Sequence, residues 1–239
     1  MRAPWIHRAP HQVVRYAFVL RSLRRLPASA RLLEVGSGPR GIGSWSGRPL
    51  VGVDLAFDRR PKDPLVPVAA DAVALPFRDG AFDLVFCVDV LPDVPRDLLR
   101  PVCAEMARVA RPGATVVVVS PCGPDAEESD RRMLRWLRGH GIRPEPWLPR
   151  QVEQGLASVE DVAAALAPWG RVTTEPNTSV RWHERLLRLE ARIRRYHGMT
   201  ALQPAVIAWG RLAPRELPGR TPTYRWRFVL ETGATSSPP

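Results

Sequence analysis

Apolar positions along the chain fall into short runs separated by helix-spaced stretches. Leu32, Leu33 and Val35 form one run, which breaks into the glycine-rich turn starting at Gly36, Gly38 and Gly41. Leu50, Val51 and Val53 form a second run, closed by Asp54. This order predicts a strand, a tight turn, a short helix and a second strand. Residues 65–69 predict a third strand, and residues 82–88 (FDLVFCV) are apolar enough to predict a central strand covered on both faces. Leu99, Val102, Cys103, Met106 and Val109 then share one face of a helix expected over residues 96–110, stopped by Arg111-Pro112-Gly113. Residues 115–120 (TVVVVS) give a fifth strand. Strands alternating with helices at this pitch predict an α/β, doubly wound, mostly parallel sheet, in which ligands bind outside the carboxyl ends of the strands.

The flanks follow other periods. Val13, Tyr16, Ala17, Leu20 and Leu23 predict an N-terminal helix that Pro27 ends, packed beside the sheet or, as a basic amphipathic helix, lying on a membrane surface. Past Ser120, Asp125, Glu127 and Glu128 open a helix that closes with Arg135, Arg138 and His140, the charge order the helix dipole favours. A loop is expected over residues 143–149, a helix from Ser158 to about Ala167, and a strand over 171–175. Trp182, Leu186, Leu189, Ile193 and Tyr196 step by four, three, four and three, which predicts an amphipathic helix ended by Gly198; residues 201–213 suggest a shorter one. Tyr224, Trp226, Phe228 and Leu230 alternate with Arg225, Arg227 and Val229, so the last strand should be antiparallel with one polar face. The expected organisation is an N-terminal helical extension over 1–30, one domain over 31–231 with helical insertions at 121–168 and 177–220, and a disordered tail over 232–239.

A chain of 239 residues holds one full α/β core, and its 45% apolar and 25% charged fractions are those of a globular protein. The net charge of +11 is carried almost wholly by arginine, Lys62 being the single lysine. One reading is the drift of a GC-rich genome. The other is an acidic partner: nucleic acid, a phosphorylated substrate or an anionic membrane. The arginines are spread along the chain, which weakens the second. Cys87, Cys103 and Cys122 are odd in number and lack metal-ligand spacing, so neither a disulfide framework nor a zinc site is expected, no metal is implied, and a reducing, cytoplasmic location follows as the default. No secretory pattern or membrane-spanning run is apparent.

The acid at the end of the second strand, beside a glycine turn, suits ribose hydroxyls. With these residues in place, the stretch from Arg31 to Pro121 resembles a class I S-adenosylmethionine-dependent methyltransferase of the type 11 group. Glu34-x-Gly36-x-Gly38 is similar to that family's first motif. Asp71-Ala72, Leu75-Pro76-Phe77, Phe82-Asp83-Leu84-Val85 and Ala107-Arg108-Val109-Ala110-Arg111-Pro112-Gly113 resemble the later ones. The resemblance implies a Rossmann-like, seven-stranded sheet with a helical insertion before an antiparallel last strand, and S-adenosyl-L-methionine as cofactor. It implies that Glu34, Gly36, Ser37, Gly38, Asp54, Leu55, Asp71, Ala72 and Val88 surround the cofactor, with Asp54 on the ribose hydroxyls, Leu55 on adenine and Asp71-Ala72 near the adenine amine. Two departures stand out. Arg40 replaces a third glycine and the segment before Asp54 is short, so the first helix should be stubby; and Asp89-Val90-Leu91-Pro92-Asp93 stands where many members read HVLEH.

The implied reaction is methyl transfer to an oxygen or nitrogen of a small molecule. Methylation of RNA or of a translation protein, and a non-catalytic member that only binds cofactor, are the alternatives; a nicotinamide-dependent oxidoreductase is disfavoured because no hydride-site residues are evident. Candidates for a general base are Asp89, Asp93 and His183, each with a structural role as the competing reading. Trp136, Trp147, Trp182 and Trp209 line either an aromatic acceptor pocket or the core.

Overall fold

The computed structural model describes residues 10–38, 41–42, 46–57, 64–195 and 222–233. Its elements are α1 (Pro10–Arg25), β1 (Leu32–Val35), β2 (Leu50–Asp54), β3 (Leu65–Ala69), β4 (Phe82–Val88), α2 (Leu99–Val109), β5 (Ala110–Pro121), α3 (Gly123–Gly139), α4 (Trp147–Gln154), α5 (Val159–Leu166), β6 (Gly170–Ser179), α6 (Val180–Arg195) and β7 (Thr223–Thr232). The strands form one seven-stranded sheet in the order β3-β2-β1-β4-β5-β7-β6. Neighbours from β3 to β5 are parallel. The return strand β7 runs the other way: its Tyr224 carbonyl accepts from Cys122 N–H at the far end of β5, and its Thr232 hydroxyl donates to Ala114 O near the start. This is the doubly wound sheet with an antiparallel last strand that the apolar pattern predicts.

The chain divides into two compact units. The first comprises 18–120, 159–175 and 227–239. Its centre is β4, where Leu84, Val85, Phe86 and Cys87 are sealed from solvent, as a strand covered on both faces requires. Val102, Cys103, Met106 and Val109 of α2 are buried, as the helical spacing predicts, and α2 packs on α5 through Val162, Ala165 and Leu166. Val19 and Leu23 bury one side of α1, whose end is tied down by the Arg48 guanidinium donating to the Leu23, Leu26 and Pro27 carbonyls.

The second unit comprises 1–17, 121–158 and 176–226. Met133, Leu134 and Leu137 of α3, Leu148 of α4 and Ala191 of α6 form its cluster, with Trp136 and Trp147 packed against it. These two tryptophans therefore serve packing. Trp182 is half-buried, and Trp209 lies outside the described residues.

Four expectations need correction. The loop expected over 143–149 gives way to α4, because Leu148 and Gln151 bury one side of a helix and Pro149 falls in its first turn, where a missing N–H leaves no bond unmade. Gly155, at φ 72°, then ends it. The helix expected over 96–110 starts with a single 3₁₀ turn at Arg96–Leu98, and β5 begins already at Ala110 and carries the Arg111-Pro112-Gly113 turn as an irregularity between the Phe82 and Leu84 pairings. β6 and β7 extend past the predicted strands, so Thr232 is sheet, not tail. Finally, Arg225 and Arg227 do not face solvent. Both are buried, since β7 is covered on both sides. Arg227 lies over the Phe18 ring at 3.9 Å and pairs with Glu175, and burial, with the charge of Arg21 nearby, pulls its pKa down to about 10. The stubby first helix, the helix over 201–213 and the remainder of the tail lie outside the described residues.

Phe86→Ala in the sealed middle of β4 is expected to cost about 3–5 kcal/mol, read as a fall in the urea midpoint with little change in slope.

Candidate functional site

The carboxyl ends of β1 to β4 carry every sequence-predicted ligand residue of the first unit. β1 runs out at Val35 and the backbone turns at Gly36 and Gly38, both in the left-handed region at φ 73° and 50°. Gly36 and Ser37 N–H both donate to Val53 O, at 2.8 and 3.0 Å, so the turn folds back over the end of β2. A Cβ on Gly36 would run into the Val90 side chain, and one on Gly52 into the Ser37 hydroxyl. At both glycines a neighbouring side chain packs where a Cβ would sit.

Asp54 closes the turn. Its Oδ2 accepts from Gly38 N–H at 2.8 Å and its Oδ1 from Leu55 N–H at 2.9 Å, which fixes the carboxylate plane between the glycine turn and the end of β2. Leu55 beside it is 73% exposed, an uncovered apolar surface next to an oriented carboxylate. At the end of β3, Asp71 is exposed and makes an Asx turn, its Oδ1 accepting from Val73 N–H at 3.1 Å, with Ala72 half-buried beside it. Acid, apolar surface and second acid sit on consecutive strand ends, a suitable set for a ribose, a flat base and an exocyclic amine.

Glu34 and Ser37 have different surroundings. Glu34 is 1% exposed and its Oε2 accepts from Ile42 N–H at 2.8 Å, so it anchors the far side of the turn from beneath. Ser37 is buried, its hydroxyl turned toward Gly52. Val88 is likewise buried at the end of β4.

Asp89 follows Val88 with φ 57°, the one non-glycine residue in the left-handed region among the described residues. Its N–H is held by Val119 O at 2.8 Å, and the chain continues into a 3₁₀ turn at Leu91–Asp93. Strain of this kind clusters where a side chain or backbone must be aimed. Asp93 is exposed in that turn. His183 belongs to the second unit and is fully buried; its ring stacks on Tyr224 at 3.3 Å and its Nδ1 lies 3.2 Å from Arg225 Nη1, while Tyr224 donates to Asp130 at 2.8 Å. Among the described residues no group of three or more His, Cys, Asp or Glu could hold a metal ion.

The support that motif reading misses is a clamp under the loop after Asp71. Arg108 of α2 donates to Leu75 O, Phe77 O, Asp79 and both oxygens of Glu105, at 2.6–3.0 Å, and Glu105 accepts from Leu75 N–H at 2.7 Å. These bonds hold Glu105 below its ordinary carboxylate value, the Arg108 bond being the largest cause. Arg108 sits inside a stretch already singled out, so the signal was present; its partners, some thirty residues earlier, were not visible in one dimension. Asp83 also lies below its ordinary value, through the Arg31 N–H and the Arg111 side chain, a structural role at the start of β4.

Residues 33–118 match the family profile described as "Methyltransferase domain". A curated sterol methyltransferase-like protein of Botryococcus braunii is 26% identical over 198 residues, covering 70% of this chain and 50% of that one. The chain spans about half the length of that relative, and matches 21% of a probable tocopherol O-methyltransferase of Oryza sativa and 27% of ajmaline N-methyltransferase of Rauvolfia serpentina, each at 34% identity over about a third of this chain. Among solved structures, phosphoethanolamine N-methyltransferase 2 of Haemonchus contortus, in complex with S-adenosyl-L-methionine, superposes with TM-score 0.58 at 17% identity, over 94% of this chain and 53% of that one. The [4+2]-cyclase SpnF also reaches TM-score 0.58, at 16% identity, over 98% and 85%. The glycine spacing Gly36-x-Gly38-x-x-Gly41 and an acid at the end of the second strand are both shared with dinucleotide sites, so it is the later motifs that separate the classes.

Arg108→Ala is expected to cost about 1.5–3 kcal/mol of stability through the bonds to charged groups it removes, measured by urea denaturation. Because the folded value of Glu105 lies below its ordinary 4.5, its contribution is present above that pH and lost as pH falls through the lower folded value. The stability gap between wild type and Glu105→Gln should therefore close on acidification.

Proposed function

We propose that the chain transfers a methyl group from S-adenosylmethionine to an oxygen or nitrogen atom of a small-molecule acceptor, a reading supported by the match of residues 33–118 to the methyltransferase-domain family. The observation that carries this reading is the Asp54 carboxylate, locked by Gly38 and Leu55 N–H beside the uncovered Leu55 side chain. Asp54 would take the ribose hydroxyls, Leu55 the adenine face, Asp71-Ala72 the adenine amine, and the Gly36–Gly38 backbone the methionine portion. Glu34 and Ser37 would act from below the turn, and Val88 would close its floor.

The cofactor, when bound, supplies an electrophilic methyl group on a sulfonium, so no covalent enzyme intermediate is needed. What remains for the protein is to align the acceptor, exclude water and, for an acceptor of high pKa, take its proton. Asp89 is the preferred candidate for that last role, since it leaves β4 beside the glycine turn in a strained conformation. Asp93 is the alternative. His183 is sealed in aromatic and charged neighbours, which supports a structural role for it. A small-molecule acceptor is supported by relatives whose names concern sterols, tocopherol and ajmaline. A second reading, cofactor binding in the service of another reaction, is supported by the likeness to a cyclase and by the loss of the usual residues after β4.

Asp54→Ala is expected to weaken S-adenosylmethionine binding by about 1.5–3 kcal/mol in calorimetric titration, and unchanged affinity would remove the assignment. Incubation of wild type with labelled cofactor and cell extract, read by mass spectrometry, separates the two readings: a methylated small molecule supports transfer, while cofactor binding without any labelled product supports the second. Asp89→Asn should then lower turnover while leaving cofactor affinity within a few-fold.

A further inference from the structure

α6 is strongly basic, but its charges are sorted. Glu184 and Glu190 face inward, 9% and 3% exposed, and Glu184 is occupied by Arg132 and Arg188. Outward, Arg181, Arg185, Leu189 and Arg192 are exposed at steps of four, four and three, one stripe along the helix. Leu189 is 44% exposed, the only exposed large hydrophobic residue of its unit among the described residues. No ion pair joins Arg181, Arg185 or Arg192 to a described acid. Two tryptophan rings underlie the stripe. Arg185 stands over Trp182 at 6.0 Å, and Arg188 and Arg192 over Trp136 at 5.8 and 5.9 Å. Stacking there keeps the guanidinium groups raised and partly ordered.

From this arrangement we propose that the outer face of α6 docks on an anionic lipid surface. Charge complementarity is the first argument: among the described residues the face presents guanidinium groups and no acid, and each cation held near an anionic leaflet adds to binding. The second is Leu189, which projects from the middle of the stripe where a bilayer would bury it and where a phosphate backbone would give it nothing. Nucleic acid is disfavoured because binding a single strand relies on exposed aromatic faces, and both tryptophans here are partly buried under arginine. The proposal stands apart from methyl transfer and does not require it.

The test is co-sedimentation of the full chain with vesicles of phosphatidylcholine alone or containing phosphatidylserine, at about 0.1 M salt. Wild type should bind the phosphatidylserine vesicles, release as salt rises, and leave the neutral vesicles unbound. The combined change Arg181→Glu, Arg185→Glu and Arg192→Glu should weaken binding about tenfold or more. Leu189→Ser, which removes no charge and is the milder change for folding, should weaken it several-fold. Circular dichroism selects the variants that retain wild-type fold. Wild type failing to prefer anionic vesicles would overturn the proposal, as would folded variants binding like wild type. A single-stranded RNA oligonucleotide displacing the protein from vesicles and binding it more tightly would overturn it in favour of nucleic acid.

Discussion

The site at the strand ends depends on two glycines whose missing Cβ leaves the space that a neighbouring side chain fills. The glycine turn can fold onto β2 only because Gly36 leaves room for Val90 and Gly52 leaves room for Ser37. That contact lets Gly36 and Ser37 reach the Val53 carbonyl, and it brings Gly38 N–H to Asp54. The carboxylate then has one orientation before any ligand arrives, and the exposed Leu55 is set beside it. Preorganisation of this kind lowers the ordering cost of binding. Arg108 extends it to the next strand end, fixing the loop after Asp71 from the helix below.

The two units use polar groups differently. In the first, apart from the buried Glu34 and Arg227, partly exposed ion pairs such as Arg31 with Asp83 and Arg108 with Asp79 tie segments together at modest cost. In the second, Asp130, His183, Tyr224 and Arg225 are buried together. Such a cluster is expensive unless its members satisfy one another, and removal of one leaves the others stranded. The ring stack of His183 on Tyr224 and the Tyr224 bond to Asp130 join α6, β7 and α3 in one polar contact.

Much of this was legible in the sequence because it rests on local periods. The strands at Leu65–Ala69 and Phe82–Val88 lie where the apolar runs put them, as does α6. The place of Asp54, closing β2 beside the glycine turn, was readable from the apolar run that it ends. What escaped depends on pairings remote in sequence. Arg225 and Arg227 looked solvent-facing by alternation, yet partners on α6 and β6 and the Phe18 ring of α1 cover them. The helix at Trp147–Gln154 was hidden by Pro146 and Pro149, whose effect on a helix depends on which turn they occupy. The clamp by Arg108 could not be seen without knowing that α2 returns beneath the loop after Asp71.

One feature of the sheet bears on how the chain behaves at high concentration. Its two outermost strands, β3 and β6, each contain a proline, Pro67 and Pro176. A proline offers no N–H, so neither border presents an unbroken ladder to a foreign strand. Each margin is thereby interrupted at one position, a feature that disfavours edge-to-edge pairing in a chain whose central strands are otherwise rich in valine.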